Sequence, residues 1–203
     1  MPYDERKENQ IEDGNTPLDT DESAGLIPPH LITRADLNQW EVRNIGRAID
    51  WIAGRPLDVL NLAVLQELHR RMFDETWEWA GTFRKSDKNI SPYHWSEVPR
   101  HMRDLLANTR VQYEQSVKTP TVLDELAVRF HYELGRIHPW PNGNGRHSRL
   151  ATDLLLSAWG RPPFTWGSGA SLARKGGARS AYIDALRRAD GGDLAPLLAF
   201  VRG

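Results

Sequence analysis

Cysteine is missing altogether from the 203 residues, and methionine occurs only three times. Disulfide staples, thiolate-held metals and a cysteine nucleophile are thereby excluded, and any metal must rest on oxygen or nitrogen donors. Long apolar runs are missing as well, since no stretch reaches the roughly 18 residues that a membrane span needs. The N-terminus from Met1 to Gln10 is charged and lacks the apolar centre of a signal peptide, so the expectation is a cytoplasmic protein without a membrane partner. Net charge is close to absent, at −1, but it is unevenly spread. Residues 1–30 hold eight acids against two bases, and the remainder holds 24 bases against 19 acids. A mildly basic body admits an anionic ligand without demanding a nucleic-acid surface.

The rest of the composition is that of an ordinary globular chain, 39% apolar and 26% charged, at a length that suits one domain. Residues 1–30, acidic and punctuated by Gly14, Pro17, Gly25, Pro28 and Pro29, read as a mobile or draped leader, and residues 31–203 as a single domain. Thr33 or Asp36 can cap a first helix in which Val42, Ile45, Ile49 and Ile52 form the apolar stripe, and Gly54 to Pro56 ends it. Further helical patterns cover Leu57–Phe73, Ser96–Ser116, Val122–Leu134 with a start at Thr119 and Pro120, Arg146–Trp159, Ala170–Arg188 and Leu194–Val201. Only Gly81–Trp95 departs from this, with Thr82, Phe83, Ile90 and Tyr93 favouring extended backbone around an Asp87-Lys88-Asn89 turn. The expected fold is therefore all-α, a helical bundle carrying one small β-hairpin.

Chemistry is concentrated in His138-Pro139-Trp140-Pro141-Asn142-Gly143-Asn144-Gly145-Arg146-His147-Ser148-Arg149, between two of the expected helices. Proline and glycine forbid a continuous helix here, and Asn-Gly-Asn-Gly tolerates positive φ, so successive N–H groups can turn inward as an anion nest. The helix that follows adds its own unpaired N–H groups and dipole. Arg146 and Arg149 stand three residues apart, and two cations at a helix start oppose the dipole unless an anion sits there. His138 opens the loop with an imidazole suited to accept a proton near neutral pH. A zinc site from His131, His138 and His147 is disfavoured, because their spacings are not helical pairs. The eight tryptophans read as packing groups, and Arg174, Lys175, Arg179, Arg187 and Arg188 as a solvated face.

The twelve residues HPWPNGNGRHSR resemble the signature of the Fic/Doc family, His-Pro-Phe-x-(Asp/Glu)-Gly-Asn-Gly-Arg-x-x-Arg. Trp79-Ala80-Gly81-Thr82-Phe83-Arg84 is similar to a second family segment, and the likeness spans about residues 57 to 190. The whole chain is similar to the branch called mobile mystery protein B, associated with mobile elements and paired with a small helix-turn-helix protein. The resemblance implies a Fic-type helical bundle with a hairpin flap, and a protein adenylyltransferase that moves AMP from ATP onto a hydroxyl side chain of a target protein, with Mg²⁺. On that likeness His138 is the catalytic base. Gly143, Asn144 and Gly145 hold phosphates together with Arg146 and Arg149. The flap residues Lys85, Ser86, Asp87, Lys88, Asn89 and Ile90 pair with the target by strand addition. Asn142 stands where the family carries a metal-binding acid, which implies weakened Mg²⁺ binding. The alternative implied by that departure is a catalytically degenerate nucleotide- or partner-binding protein of a toxin–antitoxin-like module. Partners on this reading are a target protein, a helix-turn-helix or antitoxin-like protein, or a second copy of the chain. The inhibitory sequence Ser/Thr-x-x-x-Glu-Gly/Asn is matched only loosely, by Thr20, Glu22 and Gly25.

Overall fold

Short-range side-chain chemistry sets where four helices of this chain begin, those capped by Asp19, Thr33, Asn61 and Thr119. The computed structural model describes residues 18–31, 33–167, 172 and 176–203, and within them the helices are α1 (Thr20–Ala24), α2 (Arg34–Ile52), α3 (Leu62–Phe73), α4 (Val98–Gln115), α5 (Pro120–Ile137), α6 (Asn144–Ala158), α7 (Gly177–Asp190) and α8 (Ala195–Arg202). Thr33 and Asp36 form the reciprocal capping box of α2, each side chain accepting from the other's backbone N–H. Thr119 caps α5, whose first residue is Pro120, as the sequence suggests. The helix expected from Leu57 starts only at Leu62. Asp58 accepts from the Leu60 N–H and Asn61 from the Ala63 N–H, and these local bonds hold residues 57–61 in turns. The sequence reading also missed α1, which Asp19 and Glu22 close with a second capping box. The first part of the expected Ala170–Arg188 helix lies outside the described residues, apart from Leu172.

α5 packs between α4 and α6, α2 packs on α3, α7 pairs with α8, and α3 reaches α6. One core joins α2 to α6 through Leu37, Leu65, Leu68, Met72, Phe73, Phe130, Leu134, Ala151 and Leu155, and a second sits between α5, α6, α7 and α8 around Val128, Leu156, Tyr182 and Leu197. The motif helix is thus clamped on both sides. No described helix is long and apolar enough to cross a membrane.

Two expectations are corrected. Val42 and Ile49, assigned to the inward stripe of α2, are 64% and 52% exposed; the buried positions are Leu37, Glu41, Asn44 and Ala48, spaced four, three and four apart. Two of them are polar, which hid the face. Asn44 uses its carboxamide to bond the Arg71 carbonyl and the Glu75 N–H, and Glu41 reaches the motif, so both are satisfied without being apolar.

The hairpin at Gly81–Trp95 does not form. Among the described residues there is no strand, only an isolated antiparallel bridge between Leu26 and Trp77. The stretch runs through turns, because the buried Arg84 guanidinium takes the carbonyls that a ladder would use. It donates to Ser86 O at 2.8 Å, Tyr93 O at 2.7 Å and His138 O at 2.8 Å. Asp87 accepts from the Trp95 N–H and Ser91 from the Tyr93 N–H, which closes the remaining register.

Candidate active site

α5 ends at Ile137, and His138 follows in the left-handed region at φ 53°, ψ 58°. Its orphaned last carbonyls are not left to solvent. Ser91 Oγ lies 3.0 Å from Arg136 O and 3.1 Å from Ile137 O, Arg84 Nε takes His138 O, and the Arg84 N–H takes Pro139 O at 2.9 Å. The 84–91 loop therefore fixes the residue that opens the motif.

The His138 ring is buried, 5% exposed, with Nδ1 3.3 Å from Gly135 O. A carbonyl can only accept, so Nδ1 carries the hydrogen and the basic lone pair belongs to Nε2. Burial first, and then the cations Arg84 and Lys88, push its pKa down to about 3. The imidazole is neutral across the physiological range.

The loop itself is closed by its own asparagine. Asn144 Oδ1 accepts from the Trp140 N–H at 2.9 Å and its amide donates to Trp140 O at 2.8 Å. Gly143, at φ 79°, then starts α6 with no side-chain cap, and the Asn144, Gly145 and Arg146 N–H groups have no acceptor among the described residues. Open N–H groups at a helix N-terminus are the kind of array that can hold an anion. A Cβ on Gly143 would lie 2.5 Å from Phe73, so glycine is required there for space as well as for φ.

Beneath the loop lie imidazoles that the sequence reading did not assign. His69 accepts from the Gly81 N–H at Nδ1 and donates from Nε2 to Asn142 O at 3.1 Å. His147 accepts from the Trp140 indole at Nδ1 and donates from Nε2 to Leu65 O at 3.0 Å. Trp140, fully buried, stacks on His69 with centroids 4.4 Å apart. Burial pushes His147 down to about 4 and His69 well below its usual value. Both are neutral packing groups, and His131 is bonded to the Tyr182 hydroxyl at 2.8 Å.

The two motif arginines are held by different elements. Arg146 lies over the Phe73 ring, 4.9 Å from its centroid, and donates to Glu41 Oε2 of α2 at 2.7 Å. Arg149 has its guanidinium 5.8 Å from the Tyr182 ring of α7, with NH1 beside Gly145. Asn142 Oδ1 accepts from the Gly143 N–H at 2.5 Å. Of the flap residues, Lys85, Asp87, Asn89 and Ile90 are exposed, whereas Lys88 is buried in an ion pair with Glu22 of α1. Glu22 also accepts from Ser86 Oγ, and Trp79 donates to its carbonyl, so α1 lies on the flap. Glu41 lies outside every motif, and its one sequence signal is its place between Leu37 and Ala48 on the buried repeat of α2; Arg84 closes the second family segment and Glu22 falls in the loose inhibitory match, but neither pattern points to the contacts they make.

Residues 59–156 match the Fic/DOC family. Protein adenylyltransferase Fic of Aedes aegypti is 30% identical over 151 residues, covering 71% of this chain and 27% of the mosquito protein. The protein of that name from Drosophila grimshawi is 32% identical over 169 residues, covering 79% of this chain and 32% of its own length. This chain thus spans about a third or less of those relatives. Among solved structures, the effector BepC of Bartonella tribocorum, with bound AMPPNP, superposes with a TM-score of 0.66 at 18% identity, covering 85% of this chain and 87% of that one. Fic-1 of C. elegans (residues 134–508) gives a TM-score of 0.62 at 24% identity, with 88% and 51% covered. These two likenesses establish the shared helical fold.

Proposed function

Because the chain belongs to the Fic/DOC family, we propose that it is a protein adenylyltransferase that transfers AMP from ATP to a hydroxyl side chain of another protein. The observation that carries the reading is the juxtaposition, within one motif, of a neutral imidazole with its lone pair on Nε2 and an uncapped helix start with three open N–H groups. In this reading the polyphosphate lies on the Asn144–Arg146 N–H array, with Arg149 supplying positive charge. Nε2 of His138 takes the proton of the target hydroxyl, its oxygen attacks the α-phosphorus, and pyrophosphate leaves. A bound polyanion raises the depressed pKa of His138 and makes it a stronger base at the moment it is needed. The exposed part of the flap, Lys85, Asp87, Asn89 and Ile90, is the surface offered to the target, with Ser86 and Lys88 anchoring it from behind.

Magnesium is not well served by this chain's side chains. Asn142 brings one neutral amide oxygen, already bonded to Gly143, and no group of three or more carboxylates or imidazoles among the described residues is placed to hold a metal ion. A divalent ion arriving with ATP would be held chiefly by phosphate oxygens, and no step above is assigned to it.

The test is incubation of purified protein and cell lysate with labelled ATP and Mg²⁺ or Mn²⁺. A labelled protein band is expected, with loss of label in His138→Ala on the order of a thousandfold or more. An equal signal from the variant overturns the reading, and tight ATP binding without any labelling points to the degenerate binding protein.

A further inference from the structure

A fully buried carboxylate with no core-packing logic stands next to the motif. Glu41 is 2% exposed, and burying an acid is costly unless its oxygens are bonded. Both are: Oε1 accepts from the Trp77 indole N–H at 2.9 Å, and Oε2 from Arg146 NH1 at 2.7 Å, across 105 residues of sequence. Trp77 is itself 1% exposed, so the carboxylate is fixed from behind and acts as a rigid arm on the arginine. Phe73 supports the guanidinium from below, and the same ring touches the Cβ position of Gly143. Arg146 is therefore held against the wall of the anion loop by an acid, an aromatic face and the helix that carries it. Its remaining N–H groups have no partner among the described residues.

The two motif arginines consequently differ in pairing. Arg146 is held in an ion pair with Glu41, whereas Arg149 makes no ion pair among the described residues: it lies on the Tyr182 ring and feels the half-buried Asp153, four residues along α6, only at longer range. From this contrast we infer that Glu41 is a positioning residue: it converts Arg146 from a free cation into an oriented hydrogen-bond donor, leaving Arg149 as the motif arginine whose charge attracts the polyphosphate. The inference rests on the nucleotide reading of the site and deepens it. It requires that a buried negative charge beside the loop weaken ground-state binding of a polyanion, while the fixed donor favours the transition state.

Calorimetry with ATP and, in parallel, inorganic tripolyphosphate tests it, together with the labelling rate. Glu41→Gln keeps the shape and an acceptor for Trp77 but removes the charge. Both ligands are expected to bind about fivefold tighter, with kcat for labelling about tenfold lower. Tightening should vanish when Glu41→Gln is combined with Arg146→Ala, and Arg149→Ala should lose far more affinity than Arg146→Ala. Glu41→Asp, which keeps the charge but withdraws it by one methylene, should hold affinity within twofold and lose turnover; it serves if the glutamine variant fails to fold. Unchanged or weaker ligand binding in folded Glu41→Gln, tightening that persists without Arg146, or a gain in turnover would each overturn the inference. Failure of labelling with tripolyphosphate binding intact would count against the transferase reading alone, because the affinity arm still scores Glu41. Absence of binding to either probe would end both.

Discussion

Residues 81–95 and 138–146 are two irregular stretches of the same molecule, side by side, and they hold their shapes by opposite means. The motif loop is governed from within: Asn144 closes on Trp140 four residues away, and Gly143 supplies the positive φ that starts α6. The 81–95 stretch is governed by one buried guanidinium that gathers carbonyls from three places. A local rule can be read from a local sequence; a hub cannot. The difference extends to chemistry, because the motif loop rests on neutral imidazoles and its neighbour on a permanent cation.

Acid should break the pair apart, with the largest effect. His69, His138 and His147 are neutral and buried around the motif loop, as is His131 on α5, all with folded pKa values below the ordinary one, about 3 for His138 and His131 and about 4 for His147. Below an unfolded value of roughly 6.5 the unfolded chain takes up protons that the folded chain refuses, so stability is present above that pH and is lost as pH falls from 6.5 toward 4. Each of His131, His138 and His147 removes about 2 kcal/mol by pH 5, His69 acts in the same direction, and together they rival the 5 to 15 kcal/mol that holds a typical domain. Urea denaturation at pH 7 and pH 5 measures this. A His147→Phe variant should lose about 2 kcal/mol less over that interval; an identical pH slope would show that these imidazoles do not carry the acid sensitivity.

How much of the molecule was legible follows the same division. The α2 cap, the Pro120 start and the motif loop are readable, since each depends on residues within four positions of one another; the equally local cap of α1 is not, because no apolar repeat follows it. The hairpin was misread because β-propensity at Thr82, Phe83 and Ile90 is a weak preference, overridden once Arg84 occupies the carbonyls that a ladder needs. The inward face of α2 was misread because Glu41 and Asn44 break its apolar repeat, and they break it because they bond to distant groups, the motif arginine and the end of α3. In the candidate site, His138, the glycines and both arginines stand out by type and spacing. Glu41 does not, for its partner is remote in sequence.

Removing the hub should come next in size. Arg84→Ala strands the carbonyls of Ser86, Tyr93 and His138, and a lost buried, charged donor with several partners costs about 3 to 5 kcal/mol. Arg84→Lys keeps the charge but cannot span the same carbonyls, and should recover less than half. A loss below about 1 kcal/mol in thermal or chemical unfolding would mean that 81–95 has its own local order after all.

The smallest effect should come from the motif loop's single most local feature. Gly143→Ala meets two obstacles, a φ of 79° and a Cβ placed 2.5 Å from Phe73, and should cost about 2 kcal/mol. Gly143→Asn separates them, because asparagine tolerates the left-handed region yet brings the same Cβ. If φ alone mattered, asparagine would restore stability almost completely. With Phe73 as the wall, it should recover less than half, and ATP affinity should fall in both variants, since the first N–H groups of α6 are aimed by the residue that precedes them.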